Sequence, residues 1–186
     1  MKAVQDRILG AWPDLEVETT KDLLKALRAQ LLKAYEDGSL QTGLNDIYKY
    51  VGLAKEPGAD EEILGGEKDF RRDPARAHLV RDDGAWIHFT IRVRQEGRKT
   101  LTLVAYDFEI VFPAPHTPAS LVVNPGFLRV DLNPPDHPNA EREIRSHVHP
   151  GNDDLQWPAP VMTPQEILAW MLGDGLRPRH PDKQRT

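Results

Sequence analysis

Two histidines separated by a single residue, His147 and His149, close a short apolar–polar alternation in "SHVHPGNDDLQWPAP" before a Pro-Gly turn. Residues two apart in an extended strand project to the same face, so both imidazoles can reach one point. Upstream, "FLRVDL" alternates Leu128, Val130 and Leu132 with Arg129 and Asp131, and "EIRSHVH" sets Ile144 and Val148 against Arg145, His147 and His149. If the two strands share a sheet, Arg129, Asp131, Arg145, His147 and His149 form one outward-facing polar surface. His88 and Arg92 of "HFTIRVR" can extend it, and His137, in the connection "NPPDHPNAER", can fold over its edge.

Three readings of that surface stay open. The first is metal-free phosphoryl or nucleotidyl transfer: one imidazole takes a proton, another group gives one, and guanidinium groups hold the phosphate charge. Histidine suits this because it titrates near neutrality. Asp131 would fix one ring's tautomer, and no cofactor is needed. The second is a divalent transition metal on His147, His149 and Asp131, or on the two histidines and His137, with a coordination position left for water. The third is an ordinary one-sided sheet whose polar face meets solvent. A zinc-protease helix, a Gly-rich phosphate loop and a serine elbow are absent from the sequence. His78, His116 and His180 sit beside proline or charge and read as solvated loop residues.

The elements that must carry this surface are legible from periodicity. "TTKDLLKALRAQLLKAYEDG" places a cap at Thr19 or Thr20, Asp22 in the first turn and Gly38 at the stop, with Leu24, Leu27, Leu31 and Tyr35 as its apolar stripe. "LNDIYKYVGL" predicts a second helix that packs Leu44, Ile47 and Val51. "AWIHFTIRVRQEGRKTLTLVAYDFEIVF" predicts a long hairpin, with Ile87, Phe89, Ile91 and Val93 on one face and Val104, Tyr106, Phe108, Ile110 and Phe112 in phase on its return strand. Pro113, Pro115 and Pro118 stop it, and "SLVV", "NPG" and "FLRVDL" predict a further tight connection. "MTPQEILAWMLG" carries a capping box from Thr163 to Glu166, Pro164 in the first turn and Gly173 as the stop; Ile167, Trp170 and Met171 should face the sheet. Trp157, in "LQWPAPVM", is expected to pin its loop onto that helix, the alternative being a stacking wall for a base or sugar.

The fold class expected is therefore α+β: N-terminal helices over 1–54, a charged linker or surface loop over 55–83, and an antiparallel sheet of about five strands backed by a helix over 84–175. Residues 176–186 read as a flexible polar tail. The chain has 186 residues, a formal charge of -5 and no cysteine. That charge argues against a broad electrostatic grip on duplex nucleic acid. The lack of cysteine excludes disulfides, thiolate metal sites and a thiol nucleophile. No apolar run reaches membrane-spanning or signal-peptide length, so no membrane partner and a cytoplasmic location are expected.

The string "RVDL…HP…SHVHPG…PVMTPQEIL", covering 127–172, resembles small bacterial toxin-like proteins of toxin–antitoxin and phage-defence loci. The resemblance implies cleavage of RNA or a nucleotide, with Arg129, Asp131, His137, His147 and His149 as the matching positions. A nuclease or phosphodiesterase-like enzyme is the reading taken forward. One rival is a non-enzymatic component of a defence or mobile-element assembly that binds a protein partner through the N-terminal helices or the 55–83 loop. The other is a His-x-His metal-binding protein.

Overall fold

The structure is a computed structural model that describes residues 15, 17–54, 60–69, 71–113, 126–137 and 145–177. Helix α1, Thr20–Glu36, begins where the Thr19 hydroxyl accepts from the Asp22 N–H, and it buries Leu23, Leu24, Leu27, Leu31 and Ala34. Helix α2, Leu44–Tyr50, runs directly into strand β1, Val51–Leu53. Strands β2 (Glu61–Gly65), β3 (Leu79–Val80), β4 (Trp86–Gln95), β5 (Leu101–Val111), β6 (Phe127–Leu132), β7 (Ser146–Pro150) and β8 (Trp157–Pro158) follow, and helix α3, Pro164–Leu172, comes last.

The described strands form one antiparallel sheet in the order β1-β2-β4-β5-β6-β7-β8, with β3 pairing the same edge of β4 beyond the end of β2. A register shift lies between Arg92 and Val93, where β5 carries one extra residue, Val104. The α+β class is as expected, with more strands than the periodicity announced. One face of the sheet presents Ile87, Phe89, Ile91, Tyr106, Phe108, Ile110, Val130 and Leu132, and it shares a single core with Leu23, Leu27 and Leu31 of α1 and Ile167, Leu168 and Met171 of α3. Buried aliphatic and aromatic side chains each stabilise a fold by about 1.5–3 kcal/mol, so this face holds the layers together. The α3 capping box is formed as expected, with the Thr163 hydroxyl and Glu166 carboxylate bonding each other's backbone N–H groups.

Several expectations need correction. The segment 55–83, expected as a linker or loop, contributes β2, β3 and a 3-10 turn at Pro74–Arg76. Its strands are two and five residues long, with only Ile63 and Leu79 fully buried, too few for a periodic signal. Tyr35 is 44% exposed because Leu23 and Ala34 rotate the buried stripe of α1 away from it. Leu44 is exposed, and Val51 packs as a strand residue. Trp170 is 36% exposed, since α3 buries 167, 168, 171 and 172 and leaves position 170 at the stripe's edge. The expected strand "SLVV", core residue Ile144, and His116 and His180 lie outside the described residues.

The opposite face of the sheet is not the wet surface that alternation implied. Trp86, Val111 and Phe127 make a small second core there, and His88, Glu109, Asp131, His147 and His149 are buried beside it. Two connections cover them, the segment after β2 and the turn after β7. The first leaves the sheet through Gly65 and Gly66. A side chain at Gly65 would collide with the Phe89 ring, and Gly66 has a φ of +71 with the Ile87 carbonyl 3.0 Å from where a Cβ would stand.

Candidate metal centre

Antiparallel register builds this site in rows. His88, Glu109, Arg129 and His149 are successive cross-strand partners on β4, β5, β6 and β7, and Thr90, Asp107, Asp131 and His147 form the next row. The sequence expectation that Arg129 and Asp131 share a face with the two histidines holds in this geometry. Their exposure does not: His147 is 2% and His149 1% exposed.

Asp131 is the hub. Its Oδ2 lies 3.1 Å from His149 Nε2 and 3.5 Å from His147 Nε2, and Arg129 Nε donates to the same oxygen at 3.0 Å. The two rings meet edge to face, with centroids 4.9 Å apart. Burial works to raise the Asp131 carboxyl, but the His147 hydrogen bond and the Arg129 charge outweigh it and hold the group below the usual carboxylate range. Burial, followed by the Arg129 charge, pushes His149 below its ordinary value and favours the neutral imidazole.

One row over, Glu109 is buried against His88 Nε2 at 3.2 Å and the Arg72 guanidinium at 3.0 and 3.2 Å. Arg72 also donates to both Asp153 oxygens and stacks on the Phe127 ring, 3.5 Å from its centroid. It does so from a positive φ of 53, uncommon for a non-glycine residue, which turns the chain back over the sheet. Burial opposes ionisation of Glu109, but the His88 and Arg72 hydrogen bonds prevail and lower its pKa. Asp107, opposite Asp131, moves the other way: burial and the Asp131 charge raise it despite its ion pair with Lys68.

Arg145 and His137 bond other groups among the described residues. Arg145 donates to the carbonyls of Asn133 and Val104 at 3.0 and 3.1 Å. His137 sits in the turn after β6, where its N–H donates to the Pro134 carbonyl. Arg92 pairs with Glu62 at 2.8 Å. Trp157 is 55% exposed, so it does not pin its loop. Its register partner is Val148, which faces away from His147, and this places the indole on the other side of the sheet from the site. The residues that sequence reasoning missed are Lys68, Arg72, Asp107, Glu109 and Asp153. The signal for two of them was present in "AYDFEIVF", where acids alternate with core residues along what proves to be a central strand.

Among the described residues, Asp131, His147 and His149 have metal-ligand spacing: one ligand atom from each lies within 4.8 Å of the others, and all three are buried. A tetrahedral ion with bonds of roughly 2.0–2.1 Å holds its ligand atoms about 3.3 Å apart. The 3.1 and 3.5 Å separations bracket that spacing. Asp131 Oδ1 and the Nδ1 atoms of His147 and His149 are buried with no hydrogen-bond partner among the described residues; they are separate from the Oδ2 and Nε2 atoms that meet at that spacing and add unsatisfied polar atoms around them. Arg129 supplies the outer hydrogen bond that orients a ligating carboxylate. The donor set therefore fits a borderline transition metal.

No family model matches the chain, and neither a curated protein nor a solved structure matches it.

Proposed function

We propose that the protein binds a divalent transition metal, zinc or a zinc-like ion, through Asp131, His147 and His149 and uses it for hydrolysis at the adjoining cleft. The observation that carries this is the buried trio itself, two imidazoles and a carboxylate at metal-ligand spacing. Three protein ligands leave a fourth position for water, whose pKa a bound zinc lowers to about 7. Asp131 belongs both to the trio and to the wall of a cleft of about 310 Å³, so the ion would stand at the edge of a space able to admit a substrate.

The residues have distinct parts in this scheme. His147, His149 and the Asp131 carboxylate hold the ion. Arg129 orients Asp131 and keeps it ionised. The low pKa of His149 keeps its ring nitrogen available to a metal near neutral pH. Arg72 and Asp153 keep the cover over this face by binding each other and, in turn, Glu109 and Arg129 of a single row.

The metal-free scheme has less support, because imidazoles 1–2% exposed cannot reach a substrate's proton unless the cover opens. Cleavage of RNA or a nucleotide, which the toxin-like resemblance implies, enters the proposal only in metal-assisted form.

Cobalt substitution tests the proposal. Tag-free protein reconstituted with Co²⁺ should show the intense visible absorption of a four- or five-coordinate site, and Asp131→Asn should weaken or abolish it. An octahedral, hexaaqua-like spectrum in the wild-type protein would refute it.

A further inference from the structure

The cleft beside the metal trio is lined by Lys68, Thr90, Arg92, Asp107, Asp131 and Asn133. Its charges balance without a metal, two cations against two carboxylates, and each cation is already paired, Lys68 with Asp107 and Arg92 with Glu62. A divalent ion on Asp131 and two neutral imidazoles changes that balance. It brings two positive charges beside Asp131 on the cleft wall, where Asp107 and Asp131 are the carboxylates among the described lining residues and the nearby Glu62 is taken up by Arg92. A ligand that completes the coordination there must supply the negative charge.

We infer that the cleft receives a phosphate group, free or esterified, with Lys68 and Arg92 as its binding residues; this rests on the metal reading above. Three sources of positive charge converge from separate directions: the trio on β6 and β7, Arg92 on β4, and Lys68 on the covering segment after β2. A phosphate or phosphate monoester can answer all three with different unesterified oxygens, whereas a carboxylate or a phosphodiester has only two to offer. Lys68 is a compact ammonium on a flexible stem, able to turn from Asp107 to a ligand without moving the backbone. Arg92 brings a planar fork suited to two phosphate oxygens. The Thr90 hydroxyl and Asn133 amide add hydrogen bonds in the same space.

The test is calorimetric titration of tag-free protein, zinc-loaded and chelator-stripped, with inorganic phosphate, methyl phosphate and dimethyl phosphate. The loaded protein should bind inorganic phosphate, methyl phosphate should compete with it, and dimethyl phosphate, with two unesterified oxygens for three positive groups, should compete more weakly; a diester that binds as well as the monoester would overturn the three-point reading. Lys68→Met and Arg92→Met should each weaken binding about tenfold or more while zinc content and circular dichroism stay unchanged. Equal affinity in both variants, or no binding to zinc-loaded protein, would overturn the cleft assignment and leave the metal site standing. A protein that takes up no zinc would remove both.

Discussion

Asp107 and Asp131 are direct partners across the β5–β6 ladder, yet their carboxyls are driven in opposite directions. Asp131 is held low by its His147 hydrogen bond and Arg129, against burial. Asp107 is pushed up by burial and by the neighbouring Asp131 charge, which Lys68 only partly offsets. Two like charges on one side of a sheet rarely ionise equally, and here the surrounding cations decide which one stays charged.

Acid should therefore weaken the metal-stripped protein in two stages. His149 is lowered in the fold, so the unfolded chain takes a proton first, and stability falls as pH drops below the ordinary histidine value of about 6.5. Glu109, Asp131 and Asp153 are also lowered, so their contribution is intact above the ordinary carboxylate value of about 4 and is lost as pH falls through their depressed folded values. Asp107, being raised, works in the reverse sense: the fold gains stability as pH falls through the raised folded value toward about 4, which offsets part of the loss before the second stage begins. Urea denaturation across pH 8 to 3 reads this directly. A His149→Gln variant should make the first stage shallower, leaving only the share of His78, which burial also lowers, and should leave the second stage in place.

Removing one member of the buried Glu109 cluster should cost far more than an exposed ion pair does. Glu109→Ala leaves Arg72 and His88 facing a void, and breaking a buried pair of this kind costs about 3–5 kcal/mol. The midpoint of chemical denaturation gives the value; a loss below about 1 kcal/mol would mean that water replaces the carboxylate freely.

The large features of the fold were legible because they follow long periods. The hairpin of β4 and β5 and helices α1 and α3 each repeat their pattern over nine or more residues. The shared face of Arg129, Asp131, His147 and His149 followed from strand phase alone, since a period of two leaves little choice once β6 and β7 pair. Burial was not legible, because it depends on what covers the second face. Arg72 and Asp153 reach it from turns distant in sequence, and nothing local in "DFRRDP" or "GNDDLQ" signals a partner 81 residues away. Glu109 and Asp107 were hidden differently: an acid in a long alternation reads as a solvent-facing residue until its strand proves to be central.

The cover's path depends on Gly66. Alanine there must adopt a left-handed conformation and press on the Ile87 carbonyl, so Gly66→Ala should cost at least about 1–2 kcal/mol. It should also loosen the 66–73 segment enough to speed hydrogen exchange at Arg72. Unchanged stability and exchange would mean that the segment can find another route over the sheet.

The central claim is most directly tested by the metal content of tag-free protein purified without chelator, measured by elemental analysis beside a His147→Ala, His149→Ala double variant. About one equivalent of zinc or another divalent transition metal per chain in the wild type, and none in the variant, is the result predicted. That metal should also raise wild-type stability by about 2.7 kcal/mol when free metal stands at a hundred times its dissociation constant. A folded wild-type protein that carries no transition metal and gains no stability from added zinc would contradict the account, and would make Asp131, His147 and His149 a buried hydrogen-bonded cluster that serves the fold alone.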